Sequence, residues 1–234
     1  MNSRCIALVI VAGLLLFKSE ARAADNTPPE GFVALFNGKD LTNWKGLLKG
    51  PLDNPARRAK ASREELARAQ VEADANMREH WKIQDGTLMF DGHREGRSLA
   101  TAKDYGDFEL YVDWKILPKG DSGIYLRGTP QVQIWDPDGE KQAAVGSGGL
   151  FNNQKHPSKP TKRADKPIGQ WNTFWIKMVG EKVWIKLNDE LVVGGVVMEN
   201  YWERDKPIYP TGQIELQNHG NTLYFKNIYI KELK

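Results

Sequence analysis

The chain has 234 residues, with 33 lysines and arginines against 30 aspartates and glutamates, and one cysteine. The nearly balanced charge argues against nucleic acid as a partner, because no basic surplus is available to neutralise phosphates. A single cysteine rules out an internal disulfide framework. The length suits one well-buried domain.

The first 23 residues are predicted to be a secretory signal peptide. An unbroken apolar run follows Arg4, and the small residues Ala21 and Ala23 suit cleavage by signal peptidase. The apolar run is too short to span a bilayer, so no membrane span is expected after cleavage. Cleavage would remove the only cysteine, three basic residues and one acidic residue, leaving 30 basic and 29 acidic residues. We therefore expect residues 24–234 to form one exported domain, periplasmic or extracellular, without thiol chemistry.

A short strand and a helix precede the main body of the exported chain. Residues 31–46 predict a strand, an Asn-Gly turn and a tryptophan-bearing loop. A helical insertion follows at about residues 53–79, where Ser62 and Glu65 form a capping box. Four apolar residues then recur at helical spacing: Leu66, Ala69, Ala73 and Met77. The pattern predicts one amphipathic helix, a structural insertion packed on the rim of the sheets.

From Trp81 onward the sequence is a series of short strands joined by turns. An Asp-Gly turn that begins at Asp85 separates two apolar runs, which is a strong hairpin signal. In residues 108–115 apolar side chains alternate with polar ones, as in a strand with one buried face. A strand–helix–strand rhythm does not occur, which disfavours an α/β fold. The sequence therefore predicts an all-β protein, an antiparallel β-sandwich of the jelly-roll type with one inserted amphipathic helix.

Familiar catalytic signatures are absent from the sequence. It contains no G-x-S-x-G elbow, no H-E-x-x-H zinc motif and no phosphate-binding P-loop. The nearest carboxylate pair on one strand, Glu109 and Asp113, lacks the third member of the E-x-D-x-x-E pattern found in glycosidases on lectin-like sandwiches. A conventional two-carboxylate glycosidase is therefore disfavoured.

A row of polar side chains on the outward faces of predicted strands is the best candidate site. The row consists of Arg127, Gln131, Gln133, Trp135, Gln217 and His219, with Tyr125 and Asn152 as further candidate substrate contacts. A cation, three amides, an indole and an imidazole suit a neutral, hydroxyl-rich ligand with one polarised oxygen. Asp136, at a strand end, is expected to orient Arg127 or His219.

Each of these residues also has a simpler interpretation. Arg127 taken alone is more often the partner of a surface ion pair than an oxyanion binder. His219 lies in a tight turn, and on local sequence alone the interpretation as a turn residue is the more favourable one. Trp135 is about as often a core residue as a cleft residue.

Seven segments spread over the exported chain form an ordered set. They are "GFVALFNGKDLTNWKG", "WKIQDGTL", "YGDFELYVDWKI", "DSGIYLRG", "QVQIWD", "IGQWNTFWIKMVGEKVWIKLNDELV" and "TGQIELQNHGNTLYFKNIYI". Together they resemble the 3-keto-disaccharide hydrolase family, long known as a domain of unknown function. The resemblance implies a concanavalin-A-like jelly roll and an exported bacterial protein.

The resemblance also implies cleavage of 3-keto-glycosides, with a sugar or glycan as the substrate. A ketone at C3 of a hexose makes the C2 proton acidic, so that a base removes it, the C1 substituent leaves and water adds back. This reaction needs one base, one cation or metal near O3, and amides that bind hydroxyl groups. By resemblance, His219 is the expected base and Arg127 the expected cation, with the glutamines on the sugar. A divalent metal ion stays open as a cofactor.

Two positions depart from the family pattern. Relatives often have Asn-Ser-Gly where this chain has Asp121-Ser122-Gly123, and many carry Glu where it has Gln131. Glutamine cannot act as a base or as an anionic metal ligand, so this member need not share the full activity. A non-catalytic carbohydrate-binding sandwich is therefore the alternative function. A structural or partner-binding domain that uses the helix at residues 62–79 is a third.

Overall fold

The computed structural model describes residues 24–234, so the predicted signal peptide lies outside the described residues. The described chain has, in order, β1 (Val33–Ala34), β2 (Trp44–Gly46), α1 (Pro55–Arg58), α2 (Arg63–His80), β3 (Trp81–Gln84), β4 (Thr87–Asp91), β5 (Leu99–Thr101), β6 (Phe108–Ile116), β7 (Asp121–Leu126), β8 (Thr129–Trp135), β9 (Asn172–Val179), β10 (Lys182–Leu187), β11 (Glu190–Val197), β12 (Glu215–Leu216) and β13 (Thr222–Glu232). Short 3-10 helices cover Gly50–Asp53 and Lys141–Val145.

Two antiparallel sheets make up the fold. The larger sheet has the strand order β11-β10-β9-β6-β13-β4-β3, and β1 also pairs with β13. The smaller sheet has the order β2-β5-β12-β7-β8. This arrangement confirms the predicted all-β antiparallel sandwich.

The core lies between the two sheets and follows the alternation of the strands. On β6, Phe108 and Leu110 are fully buried, whereas Glu109 and Tyr111 between them are half-buried on the other face. The smaller sheet contributes the fully buried side chains of Ile124, Leu126, Val132, Ile134, Ile214 and Leu216. Because successive side chains of a strand point to opposite faces, the polar residues between these apolar ones lie on the outer face of the smaller sheet.

The helical insertion covers one side of the sandwich. It consists of α1 and α2. Helix α2 begins after its N-cap residue Ser62, and the Ser62 Oγ accepts a hydrogen bond from the Glu65 amide at 3.1 Å. Ala73 and Met77 of the predicted stripe are buried, and α2 contacts β2 and β3, the edge strands of the two sheets. A Cβ at Gly46 would lie 2.1 Å from the Ala73 carbonyl oxygen, so helix and strand approach this closely only with glycine there. Within the described part of the chain, neither helix is long and apolar enough to cross a membrane.

Candidate active site

The outer face of the smaller sheet carries a cleft of about 400 Å³. Strand register brings its residues together, because Glu215 of β12 lies opposite Tyr125 of β7, and Asp121 of β7 lies opposite Trp135 of β8. Residues directly opposite each other in a ladder share one face of the sheet. The floor of the cleft is thus made by β12, β7 and β8.

Most of the residues predicted to form the site line this cleft. They are Tyr125, Gln131, Gln133, Trp135, Asn152, Gln217 and His219. Asp53, Asp121 and Glu215 add three carboxyl groups. None of the described residues that line the cleft is a lysine or an arginine. The cleft is therefore rich in amides and carboxyl groups and has no permanent positive charge on its walls.

Two glutamines and an aspartate form a hydrogen-bonded chain across β7 and β8. Gln131 Nε2 donates to Gln133 Oε1, and Gln133 Nε2 donates to Asp121 Oδ1 at 2.8 Å. Gly123 makes room for this chain, since a Cβ there would lie 2.9 Å from Gln131 Cδ. Both glutamine side chains are buried, so their amides are held in place. The chain fixes the orientation of the Asp121 carboxyl group.

His219 lies at the rim of the cleft beside Asp121. Its side chain is 58% exposed, and its Nδ1 lies 3.8 Å from Asp121 Oδ2. Burial raises the pKa of Asp121, and the charge of His219 and the hydrogen bond from Gln133 oppose that rise. An imidazole next to a carboxyl group is a common arrangement for proton transfer. The 3.8 Å separation is longer than a hydrogen bond, so the two groups are close without being bonded.

Glu215 is a candidate that the sequence interpretation did not select. Its side chain is 2% exposed, and none of the described residues forms a hydrogen bond with its Oε1. Burial raises the pKa of Glu215 to about 8, and the positive charge of Arg58 partly offsets the rise. Burial also raises the pKa of Tyr125, with a smaller contribution from Glu215. Strand alternation puts Glu215 on the same face as Gln217. The alternation that identified Gln217 as a candidate could therefore have identified Glu215 as well.

Three buried oxygens at the cleft have no hydrogen-bond donor among the described residues. They are Glu215 Oε1, Gln217 Oε1 and Asn152 Oδ1. The amide nitrogen of Gln217 donates to the Tyr125 hydroxyl at 3.3 Å, so only its oxygen is left unpaired. Buried polar atoms in native proteins are nearly always paired, so these oxygens need hydrogen-bond donors that come from water or from a bound molecule. A ligand with several hydroxyl groups would satisfy all three.

Aromatic side chains border the cleft. Trp135 and Phe151 pack edge to face with ring centroids 5.5 Å apart, and Tyr201 and Trp202 do so at 5.0 Å. Phe151 and Tyr201 are 45% and 39% exposed. Partly exposed rings beside a polar cleft suit the apolar faces of sugar rings. Phe151, Tyr201 and Trp202 come from loops, and no local sequence pattern marked them because the fold alone brings those loops to the sheet.

Arg127 does not face the cleft, and its predicted role as the cation at the substrate is wrong. Its side chain is 2% exposed. The guanidinium donates to Gly106 O at 2.9 Å, Gly180 O at 3.0 Å, Tyr209 O at 3.2 Å and Asp107 Oδ1 at 2.6 Å. Strand alternation failed here because Arg127 and Gly128, both with positive φ, form the two-residue turn between β7 and β8. The residue is a structural anchor for three loops.

Asp136 lies next to the cleft but is engaged by the backbone. Its carboxylate accepts hydrogen bonds from the amides of Lys119 at 2.7 Å and Asp138 at 3.0 Å. It sits at the opposite end of the β7–β8 hairpin from Arg127, about 20 Å away along the strands. The prediction that Asp136 orients Arg127 is therefore wrong. It does not orient His219 either, whose acidic neighbour is Asp121.

The cleft does not offer a ready set of metal ligands. Among residues 24–234, no group of three or more His, Cys, Asp or Glu side chains is placed to hold a metal ion. Asp121 and His219 make a pair, and the neighbouring Gln131 and Gln133 are neutral amides that bond to each other and to Asp121. This donor set does not fit a divalent cation.

Comparison with known proteins agrees with the fold and identifies the family. Two Parabacteroides distasonis crystal structures, described as those of candidate glycosyl hydrolases, are each 24% identical to this chain. They cover 90% and 82% of it and the whole of their own chains, with TM-scores of 0.62 and 0.55.

A relative of similar sequence is also known. The "3-keto-disaccharide hydrolase" of Bacteroides thetaiotaomicron is 23% identical over an alignment of 259 positions, which covers 87% of this chain and 79% of that protein. The family model of the "3-keto-alpha-glucoside-1,2-lyase-like domain" matches residues 31–231. The match spans nearly all of the described chain and confirms the resemblance seen in the sequence. The chain belongs to the family of 3-keto-alpha-glucoside-1,2-lyase-like domains.

Proposed function

We propose that the protein is an exported carbohydrate-active hydrolase or lyase that cleaves 3-keto-glycosides by elimination and hydration. The observation that carries this proposal is the cleft, where three unpaired buried oxygens lie near exposed aromatic rings. Family membership supports the substrate class, because the family is described by its likeness to a lyase of 3-keto-α-glucosides. The imidazole and carboxyl group at the rim supply proton transfer.

In the proposed mechanism, His219 removes the C2 proton of the sugar. Its Nδ1 faces Asp121, so Nε2 is the nitrogen that takes the proton, and the Asp121 carboxylate stabilises the imidazolium. The electron pair of the C–H bond forms an enolate over C2, C3 and O3. The C1–O bond then breaks, its electrons leave with the departing oxygen, and that oxygen receives a proton from the imidazolium or from water. Water adds across C1 and C2, which restores the saturated 3-keto sugar.

Substrate binding in this proposal uses the neutral part of the cleft. Sugar hydroxyl groups donate to the unpaired oxygens of Gln217 and Asn152, which become satisfied on binding. The exposed rings of Phe151 and Tyr201 contact the C–H faces of the substrate. Gln131 and Gln133 hold Asp121 in place through their hydrogen bonds and do not themselves bind the sugar in this proposal.

The alternative is a non-catalytic carbohydrate-binding sandwich. One observation favours it, namely that His219 is largely exposed and lies 3.8 Å from Asp121, beyond hydrogen-bond distance. The unpaired oxygens and aromatic rings would serve an unmodified glycan equally well. The two functions differ in whether the bound sugar is changed.

The deciding experiment is incubation of the purified protein with 3-keto-glucosides that differ in anomer and leaving group. Matched glucosides without the ketone are the controls. We expect the leaving group to be released from 3-keto substrates only, because only the ketone makes the C2 proton acidic. The rate should be the same with a chelator present, since the cleft holds no ready metal site. Chromatography detects the products. If the sugars bind but no product forms, the protein is a carbohydrate-binding module and not an enzyme.

Export is a separate proposal, and it rests on the sequence of the leader. Protein recovered from the periplasm or medium of an expressing bacterium should begin at Ala24 or Asp25, because small residues at positions 21 and 23 suit signal peptidase. Mass spectrometry of the intact protein measures this directly. A replacement of Ala23 by a bulky residue should leave the leader attached. Recovery of the normal protein with residues 1–23 still present would contradict the proposal.

A further inference from the structure

Glu215 and Tyr125 lie on the floor of the cleft, opposite each other on β12 and β7. We propose that the side chains of Glu215 and Tyr125 form the oxyanion hole that stabilises the enolate oxygen on C3 of the substrate. This inference rests on the proposed function and names the groups that bear its developing charge.

The cleft needs such donors because its lining provides no cation for the enolate. Arg127, which the sequence suggested for this task, is bonded to Asp107 and to backbone carbonyls outside the cleft. No lysine or arginine is found among the described residues of the lining. Fixed hydrogen-bond donors aimed at a developing oxyanion stabilise it strongly in a site that excludes water. A tyrosine together with a protonated carboxyl group is a known oxyanion hole for an enolate.

The surroundings of Glu215 explain why it keeps its proton. Burial is the largest influence on its pKa, and the nearby Asp53 raises the pKa further. Arg58 of α1 and Lys45 of β2 favour the ionised form, and they are the cations that act on it. The Arg58 guanidinium, however, donates to the carbonyls of Leu52 and Asp53 at 3.2 Å and 3.4 Å. The net result is a pKa of about 8, so the acid is neutral at pH 7.

The proposed base and the proposed oxyanion hole line the same cleft. Glu215 belongs to β12, and Gln217 and His219 follow it in the turn segment after the strand, so that all three side chains line the cleft. C2 and C3 are adjacent ring atoms, so the base and the oxyanion hole act on neighbouring positions. Gln217, with its unpaired oxygen, lies between Glu215 and His219 in the sequence and lines the same cleft.

Three variants test the proposal by steady-state kinetics with a 3-keto-glucoside that the wild type cleaves. Glu215→Leu and Tyr125→Phe each remove a donor, and each should lower kcat/KM by about 10²-fold or more. Glu215→Gln keeps a donor that does not titrate, so it should retain more activity than the leucine variant. The kcat/KM of the wild type should fall above about pH 8 as Glu215 ionises, and the glutamine variant should lack this fall.

A second readout does not depend on activity. The folded state holds the Glu215 proton that the unfolded state loses near pH 4.5, so the free energy of unfolding of the wild type should decrease from pH 4.5 to 8. Glu215→Gln should remove that decrease. Glu79→Gln, on the exposed side of α2, is the matched control and should keep the wild-type pH dependence. Glu215→Leu replaces a buried acid with an apolar group, so it is expected to fold.

The outcomes separate this inference from the proposed function. If no 3-keto-glucoside is cleaved by the wild type, the proposed function and the oxyanion hole both fail. If the wild type is active and Glu215→Leu is equally active, the oxyanion hole fails alone. If the stability of the wild type and of Glu215→Gln depends on pH in the same way, the claim that Glu215 is protonated in the folded protein is wrong. A loss in both donor variants together with the altered pH profile of Glu215→Gln would support the inference.

Discussion

Replacement of Arg127 by alanine is expected to lower the free energy of unfolding by about 3 kcal/mol. The guanidinium is buried and pairs with Asp107, and it also bonds to carbonyl groups of Gly106, Gly180 and Tyr209. Truncation removes these hydrogen bonds and leaves a cavity in place of a buried side chain, which costs more than a surface ion pair contributes even though Asp107 is 38% exposed. For a chain of this size the loss corresponds to a fall in Tm of roughly 10 °C.

Turnover per folded molecule should be unchanged in this variant, because the Arg127 side chain points away from the cleft. Thermal or denaturant unfolding measures the stability, and kcat/KM corrected for the folded fraction measures the function. Arg163→Ala is the matched control, since Arg163 is partly exposed and its partner Asp138 is on the surface. That control should change stability far less. A hundredfold loss of kcat/KM with normal stability would show that the guanidinium does reach the substrate.

Replacement of His219 by alanine is expected to lower kcat for a 3-keto-glucoside by about 10²- to 10⁴-fold. The reason is that His219 is the only histidine among the described residues that line the cleft, and Asp121 lies beside it to stabilise the protonated ring. Binding of the sugar should change little, because the unpaired oxygens and the aromatic rings remain. Calorimetric titration measures the affinity, and a stopped assay of the released group measures kcat.

His156→Ala is the matched control for this prediction. His156 is partly exposed and lies on a loop where it contacts Glu199, away from the cleft lining. Its removal should leave kcat unchanged. If His219→Ala binds and turns over substrate like the wild type, His219 is a rim residue and the base is another group. If His219→Ala loses affinity for the sugar to the same extent as it loses kcat, the imidazole binds the substrate and is not the base.

The sequence by itself determined the elements that depend on short-range patterns. A capping box and an apolar stripe predicted α2, and the structure begins this helix directly after Ser62. Alternation on β6 predicted the buried face that Phe108 and Leu110 form. The same rule put Gln133 and Gln217 on the outer face of the smaller sheet, where they line the cleft. These features could be read because a helix or a strand repeats over a few residues.

Only the tertiary structure decided which polar residues face the cleft and how burial shifts their pKa values. Strand alternation predicted that Arg127 faces the cleft. Its positive φ in a tight turn instead directs the guanidinium toward loops that are distant in the sequence. Phe151 and Tyr201 reach the cleft from loops that carry no periodic signal. Glu215 is an ordinary outward-facing glutamate by pattern, and its raised pKa comes from burial by residues distant in the chain. Alternation assigns a face of a strand, whereas burial and partners depend on what the fold packs against that face.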